Sequence, residues 1–344
     1  MKLHLIATAF SVLAASGSVG AAQDSQPLWA QAPTTISPDW SAFFAEKGKN
    51  RDQTVPAPDD VDGWTTVRTA AGAQNAAAAE VLAAGLGITF RDTEIGGVPV
   101  VEIIPADPVG DDRIGVYTHG GAYVLGVAKT PQAVLFAAAT GLKVISIEYT
   151  LAPHAQWDQA TGEVVSVFAA LAEAGVGGRD IVLAGDSAGG GLAAGSVLRM
   201  RDEGLEMPAA LVLWSPWADV TETGDTYRTL RDAEANYTYR AVLGPSAIAY
   251  ADEADQRNPY VSPVYGDFAA GFPPTLIQGG GTRELFVSDF IRLYQALDQS
   301  GRTVKLDLYE GMPHVFIAQR PASPEAKAAF AKTGAWVDQH LLRK

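Results

Sequence analysis

Asp180-Ile181-Val182-Leu183-Ala184-Gly185-Asp186-Ser187-Ala188-Gly189-Gly190-Gly191 runs from an apolar stretch into a glycine-rich turn, and Leu192 to Met200 follow as an Ala-rich helical pattern. Strand, sharp turn and helix in that order put Ser187 at the tip. The G-x-S-x-G spacing has a steric basis, because a residue on so tight a turn takes a strained backbone conformation. Gly185 and Gly189 let strand and helix approach without Cβ clashes, so the Ser187 hydroxyl projects from the end of the sheet. The five-residue pattern alone is weak. Its strength comes from the strand before it, the helix after it, and three further pieces in compatible order.

Working outward, other apolar runs share this rhythm. Val98 to Ile104 alternates, while Arg113 to Thr118 and Lys143 to Tyr149 read as buried strands. Ala160 to Ala174 reads as a helix, and Ala209 to Trp214, Pro274 to Gln278 and Val304 to Tyr309 as later strands, with a closing helix over Ala322 to Leu342. Strands alternating with helices predict an α/β fold with a mostly parallel sheet covered on both faces. Residues 218–265 interrupt that rhythm with a charged, tyrosine-rich insertion, which would sit above the strand ends, where such sheets bind ligands. Residues 23–90 carry little strand signal and read as a helical segment, leaving 91–344 as the catalytic domain.

Length and composition agree. A chain of 344 residues with 47% hydrophobic and 19% charged residues suits one large globular domain with an accessory piece. A formal charge of −14 argues against nucleic acid or anionic membrane as a partner. With no cysteine, disulfides, thiolate catalysis and Cys-ligated zinc are excluded. No H-x-x-x-H and no carboxylate cluster at ligand spacing occurs, so no metal is expected. Lys2, an apolar run to Ala15 and small residues to Ala22 read as a secretory signal peptide over 1–22, and the mature chain is expected to be exported to the periplasm or beyond. No later segment is apolar enough for stable membrane insertion.

Acyl transfer needs a nucleophile, a base, a carboxylate to orient the base, and donors for the oxyanion. His314, in the turn after the last strand, is the expected base, reached by elimination among five histidines. Two carboxylates compete for the acid in the loop after strand 274–278. Glu284 stands at the loop-to-helix junction and is preferred, whereas Asp289 would lie a turn into the helix and face solvent. Thr118-His119-Gly120-Gly121-Ala122-Tyr123 is the expected oxyanion loop, with the Ala188 N–H completing the donor set. His119 would buttress that loop, and Asp186 would serve as a structural hydrogen-bonding residue. Tyr123 and Trp217 are the candidate substrate-lining aromatics; Trp214 and Trp217 both end a core strand and read as packing, with Trp217 the one that could also edge the pocket.

With these residues in place the chain resembles the hormone-sensitive lipase family of α/β-hydrolases, the bacterial family IV esterases. The resemblance rests on His119-Gly120-Gly121, Leu151-Ala152-Pro153, Gly185-Asp186-Ser187-Ala188-Gly189-Gly190, Ser215-Pro216-Trp217-Ala218-Asp219 and Pro313-His314. It implies a cofactor-free serine hydrolase of small-molecule esters with short to medium acyl chains, and oxyanion donors at Gly120, Gly121 and Ala188. It also implies an acid at Glu284, where most members have Asp, and a cap built from the N-terminal helices plus the 218–265 insertion. A homodimer is left open. The chain departs from the family at Ala122, in place of a third glycine, and at Thr150 and His154, where members carry an Arg and a Glu. Lactone opening or deacetylation with the same residues is the alternative activity. A ligand-binding homologue that has lost catalysis is disfavoured because serine, histidine and acid are all present.

Overall fold

Residues 27–46, 51–109 and 112–341 are described by a computed structural model. The expected signal peptide, 1–22, lies outside them. Eight strands form one sheet: β1 (Thr89–Ile95), β2 (Val98–Ile104), β3 (Ile114–Thr118), β4 (Lys143–Ile147), β5 (Ile181–Asp186), β6 (Ala210–Trp214), β7 (Thr275–Gly280) and β8 (Val304–Tyr309). Their order is β1-β2-β4-β3-β5-β6-β7-β8. The β1–β2 and β2–β4 pairs are antiparallel and every later pair is parallel. The nucleophile strand β5 is therefore central, flanked by the strand that feeds the oxyanion loop and by β6.

Period-two burial explains why β5 reads as a continuous apolar run. Ile181 and Leu183 face one core and Val182 and Ala184 the other, so both faces are covered and no polar residue is tolerated.

Ten helices accompany the strands among the described residues: α1 (Pro38–Glu46), α2 (Val61–Leu86), α3 (Pro131–Thr140), α4 (Trp157–Glu173), α5 (Ala188–Asp202), α6 (Thr226–Thr229), α7 (Gly244–Tyr250), α8 (Val287–Gln299), α9 (Phe316–Gln319) and α10 (Pro324–His340). One core draws helical side chains from α4 to α8, the other from α1, α3, α9 and α10. Helix α2 contributes to both, with Trp64 in the first and Ala79 and Ala83 in the second. The sequence reading provides no element for α3. Its Ala-rich, apolar run is buried over Ala133–Ala137 and carries no amphipathic period to betray a helix. His340, at the end of α10, packs its ring 4.2 Å from that of Trp336.

The insertion between β6 and β7 holds α6, a π-helical turn over Tyr239–Leu243, and α7. Together with α2 it walls the cavity above the strand ends: Ala71 and Asn75 face it from one side, Asn236, Tyr237, Val242 and Leu243 from the other. The segment 28–44 packs against this end of the sheet through side-chain contacts. Arg283 donates to Leu28 O and stacks its guanidinium 5.4 Å from the Phe44 ring, and Thr35 donates to Glu310. These contacts reach the loops after β7 and β8 directly.

Candidate active site

Ser187 terminates β5 at φ 54°, ψ −125°, the strained conformation expected of a residue on so sharp a turn. Its N–H donates to Trp214 O (2.8 Å), and its carbonyl accepts from Trp217 N (2.8 Å), so β6 holds the turn from both ends. Gly189 is obligatory, since a Cβ there would stand 2.0 Å from Thr118 O. The close approach lets Thr118 Oγ1 donate to Gly189 O (2.7 Å), locking the turn against β3.

Ser187, His314 and Glu284 form one row. Ser187 Oγ lies 2.9 Å from His314 Nε2, and His314 Nδ1 lies 2.7 Å from Glu284 Oε1. A donated Nδ1–H leaves Nε2 as the acceptor for the serine proton. Glu284 is fully buried, and its other oxygen accepts from Gly280 N (2.6 Å) and Ser215 Oγ (3.1 Å). Phe286 and Tyr237 meet the imidazole edge-on, at centroid distances of 5.0 and 5.1 Å, and restrict its rotation. A parallel β-bridge between Arg283 and Pro313 joins the loop of the acid to that of the base.

Asp289 does not reach His314. It is fully buried, contrary to the solvated position expected for it, and its Oδ2 accepts from Asp219 N (3.1 Å) and Tyr227 Oη (3.0 Å). Burial raises its carboxyl well above the ordinary range, with the nearby Asp219 charge adding to the effect. Its place is under the insertion.

The oxyanion loop differs from expectation in one atom. The Gly120 N–H donates to Asp186 Oδ1 (3.0 Å), so it is not available to an oxyanion. The same carboxyl oxygen accepts from Tyr117 Oη (2.8 Å), which makes Asp186 the anchor of this loop. Among the described residues, the next N–H groups, of Gly121 and Ala122, have no partner, and neither does that of Ala188 at the first position of α5. Gly121 sits at φ 121° and Ala122 at φ 54°, and this unusual pair of conformations turns the chain past Ser187. His119 supports the loop: Nδ1 lies 2.8 Å from Gly120 O, and the ring stacks on Tyr149 at 4.4 Å.

Tyr123 and Trp217 are core residues, not substrate-lining ones. At φ 64° Tyr123 turns its ring inward onto Tyr250, with centroids 3.6 Å apart and planes 4° from parallel. Trp217 stacks on Phe286 at 5.7 Å and donates Nε1–H to Tyr227 Oη (3.1 Å). Both are buried and neither lines the cavity. Thr150 and His154, the two positions that depart from the family, bond to other residues and not to each other. Thr150 donates from N and Oγ1 to Glu163 (2.6 and 2.7 Å), and His154 Nε2 lies 3.1 Å from Thr65 Oγ1.

The cavity over Ser187 has a volume of about 480 Å³, within the range of small-molecule sites. Leu125, Val242 and Leu243 are among its apolar walls. Among the described residues, no group of three or more metal-ligating side chains is assembled.

Strand order, elbow serine and late histidine define a class, and the comparisons place the chain within it. Residues 115–318 match the family model described as the alpha/beta hydrolase fold, and the chain belongs to that family. It stands among the hormone-sensitive-lipase-like esterases. A crystal structure of an esterase from the bacterial hormone-sensitive lipase family aligns with TM-score 0.70 and 31% identity, covering 74% of this chain and 85% of the other. Esterase E25 aligns with TM-score 0.84 and 31% identity, over 90% of this chain and 96% of its own. LipR of Mycobacterium tuberculosis, assigned as an acetyl-hydrolase, is 36% identical over 258 residues, or 74% of this chain and 82% of LipR.

Proposed function

We propose that this chain hydrolyses carboxylic esters with short to medium acyl groups through an acyl-enzyme on Ser187. The hydrogen-bonded row Ser187–His314–Glu284 beneath the cavity carries the reading. Ser187 Oγ attacks the ester carbonyl as its proton passes to His314 Nε2. The N–H groups of Gly121, Ala122 and Ala188 receive the negative charge that develops on the carbonyl oxygen. Collapse of the tetrahedral intermediate breaks the bond to the alcohol, which leaves with the proton from His314. A water then attacks the acyl-enzyme, giving its proton to Nε2, and the acid departs as Ser187 is regenerated. Glu284 keeps the imidazole in the productive tautomer and stabilises the imidazolium. Helix α2 and the insertion act as the cap that bounds the acyl group, and the 480 Å³ volume supports the short-to-medium limit. Export is part of the same proposal. It is supported by the basic start and apolar run of residues 1–22 and is checked by N-terminal sequencing of the protein from an expressing cell.

The test is hydrolysis of p-nitrophenyl esters from acetate to palmitate, with Ser187→Ala alongside. Turnover that peaks at short chains and vanishes in the variant is expected. Absence of turnover on every chain length by folded protein overturns the proposal.

A further inference from the structure

The apolar walls of the cavity account for an acyl group, but not for the carboxamides set among them. Asn75 from α2, Gln132 from α3, Asn236 from the insertion and Gln319 from α9 all line the space above Ser187. Three of them are held at one end by the protein, with the other end left over. Asn236 donates both N–H and Nδ2–H to Glu234 Oε1, at 2.8 and 2.9 Å, so its Oδ1 remains as an acceptor. Gln319 donates from Nε2 to His314 O, leaving Oε1. Gln132 Oε1 accepts from Thr130 Oγ1, leaving its NH₂ group as a donor. Glu234 is fully buried, and among the described residues its carboxylate accepts hydrogen bonds from the N–H and side chain of Asn236 alone. Tyr237, on the same wall, has a buried hydroxyl with no hydrogen-bond partner among the described residues.

Three chemistries compete for such a wall. An alkyl alcohol would strip water from these amides and return nothing, at about 1–3 kcal/mol for each group left unpaired. An anionic alcohol, such as a phosphorylated or carboxylated one, would need cations, and no lysine or arginine is among the residues lining the cavity. The overall charge of −14 also repels it. A neutral hydroxyl both donates and accepts, which is what a mixed set of amide oxygens and NH₂ groups requires.

We propose that the alcohol portion of the substrate is a neutral polyhydroxylated group, a sugar or polyol bearing a short acyl ester, read by the carboxamides of Asn75, Gln132, Asn236 and Gln319. This rests on the ester-hydrolase reading and specifies its substrate class. Asn236 is the pre-oriented member, and Glu234 positions it.

The experiment compares methyl 6-O-acetyl-glucoside with hexyl acetate on the purified full chain, wild type and Asn75→Leu/Asn236→Leu. The wild type is expected to favour the sugar ester in kcat/KM by about tenfold or more, the equivalent of one or two good hydrogen bonds. In the double variant that ratio is expected to fall toward one, chiefly through a raised KM for the sugar ester. A wild type that prefers hexyl acetate overturns the inference and leaves the esterase standing, whether or not the variant folds. A ratio that the folded variant keeps also overturns it. Hydrolysis of neither ester by folded wild type overturns the inference and the ester-hydrolase reading together.

Discussion

Ser215 Oγ donates to Glu284 Oε2 at 3.1 Å while accepting the N–H of Val315 at 3.0 Å, so one hydroxyl ties the acid to the chain beside the base. Ser215 sits at φ 48°, a conformation that aims its side chain at the gap between the two loops. Ser215→Ala removes one bond to a charged acceptor and leaves the Val315 N–H without a partner. A fall in kcat of about tenfold is expected, equivalent to about 1–1.5 kcal/mol, with KM little changed. Steady-state kinetics on p-nitrophenyl acetate read both parameters.

Glu284 is the acid that contacts His314, and the two carboxylates in its region should separate by kinetics. Glu284→Gln is expected to lower kcat by about 10³- to 10⁴-fold with the fold intact, because an amide at Oε1 misorients the imidazole. Asp289→Asn, acting on a carboxyl beneath the insertion, should alter thermal stability more than kcat. The reverse pattern would reassign the acid.

The oxyanion loop offers a sharper contrast. Gly121→Ala introduces a side chain at φ 121°, with its Cβ 2.2 Å from Leu125 O, so the loop must move. A kcat loss of at least about 10²-fold is expected, the scale of losing an oxyanion donor. Circular dichroism checks that the rest of the fold survives.

Trp217 distinguishes core from pocket. Because it is fully buried against Phe286 and Tyr227, Trp217→Ala should destabilise the protein by about 3–5 kcal/mol and should not shift acyl-chain preference at temperatures where the variant is folded. Denaturant melts and an acyl-length series together decide this.

Burial pushes the Glu234 carboxyl up to about 7, against which the nearby His314 and the hydrogen bonds from Asn236 act, while Glu284 adds to the rise. The folded state therefore binds this proton more tightly than the unfolded chain does. Below the unfolded value of 4.5 the residue contributes no penalty. As pH rises from there through 7, stability is lost, by on the order of 3 kcal/mol in full. Glu234→Gln should flatten that part of the stability–pH curve, which denaturant melts between pH 4.5 and 8 would record.

The parts of the site that were legible in the sequence are those whose chemistry is local. Gly185, Ser187 and Gly189 announce a sharp turn because only small residues tolerate it. His314 stands out because it follows the last strand, so the topology delivers it to the edge that carries Ser187. The role of Gly120 is not legible locally, because the fate of its N–H depends on Asp186, 66 residues away. Tyr123 and Trp217 failed for a related reason. An aromatic beside an active-site loop can face cavity or core, and here a stack on Tyr250 in one case and on Phe286 in the other decides it. The carboxamide wall was invisible, since its members come from four elements spread between residues 75 and 319.

The contacts of segment 28–44 bear on the order in which this molecule can assemble. Arg283, directly before the acid, is held by a carbonyl 255 residues earlier, and the Trp40 indole donates to Ser323 across 283 residues. Such closures form late, since the loop entropy they cost must be met before they contribute anything. The first described stretch of the chain thus completes the loops made last. A nascent chain still missing its final quarter, whose first six strands can already pair, lacks both Glu284 and His314 and has no working site.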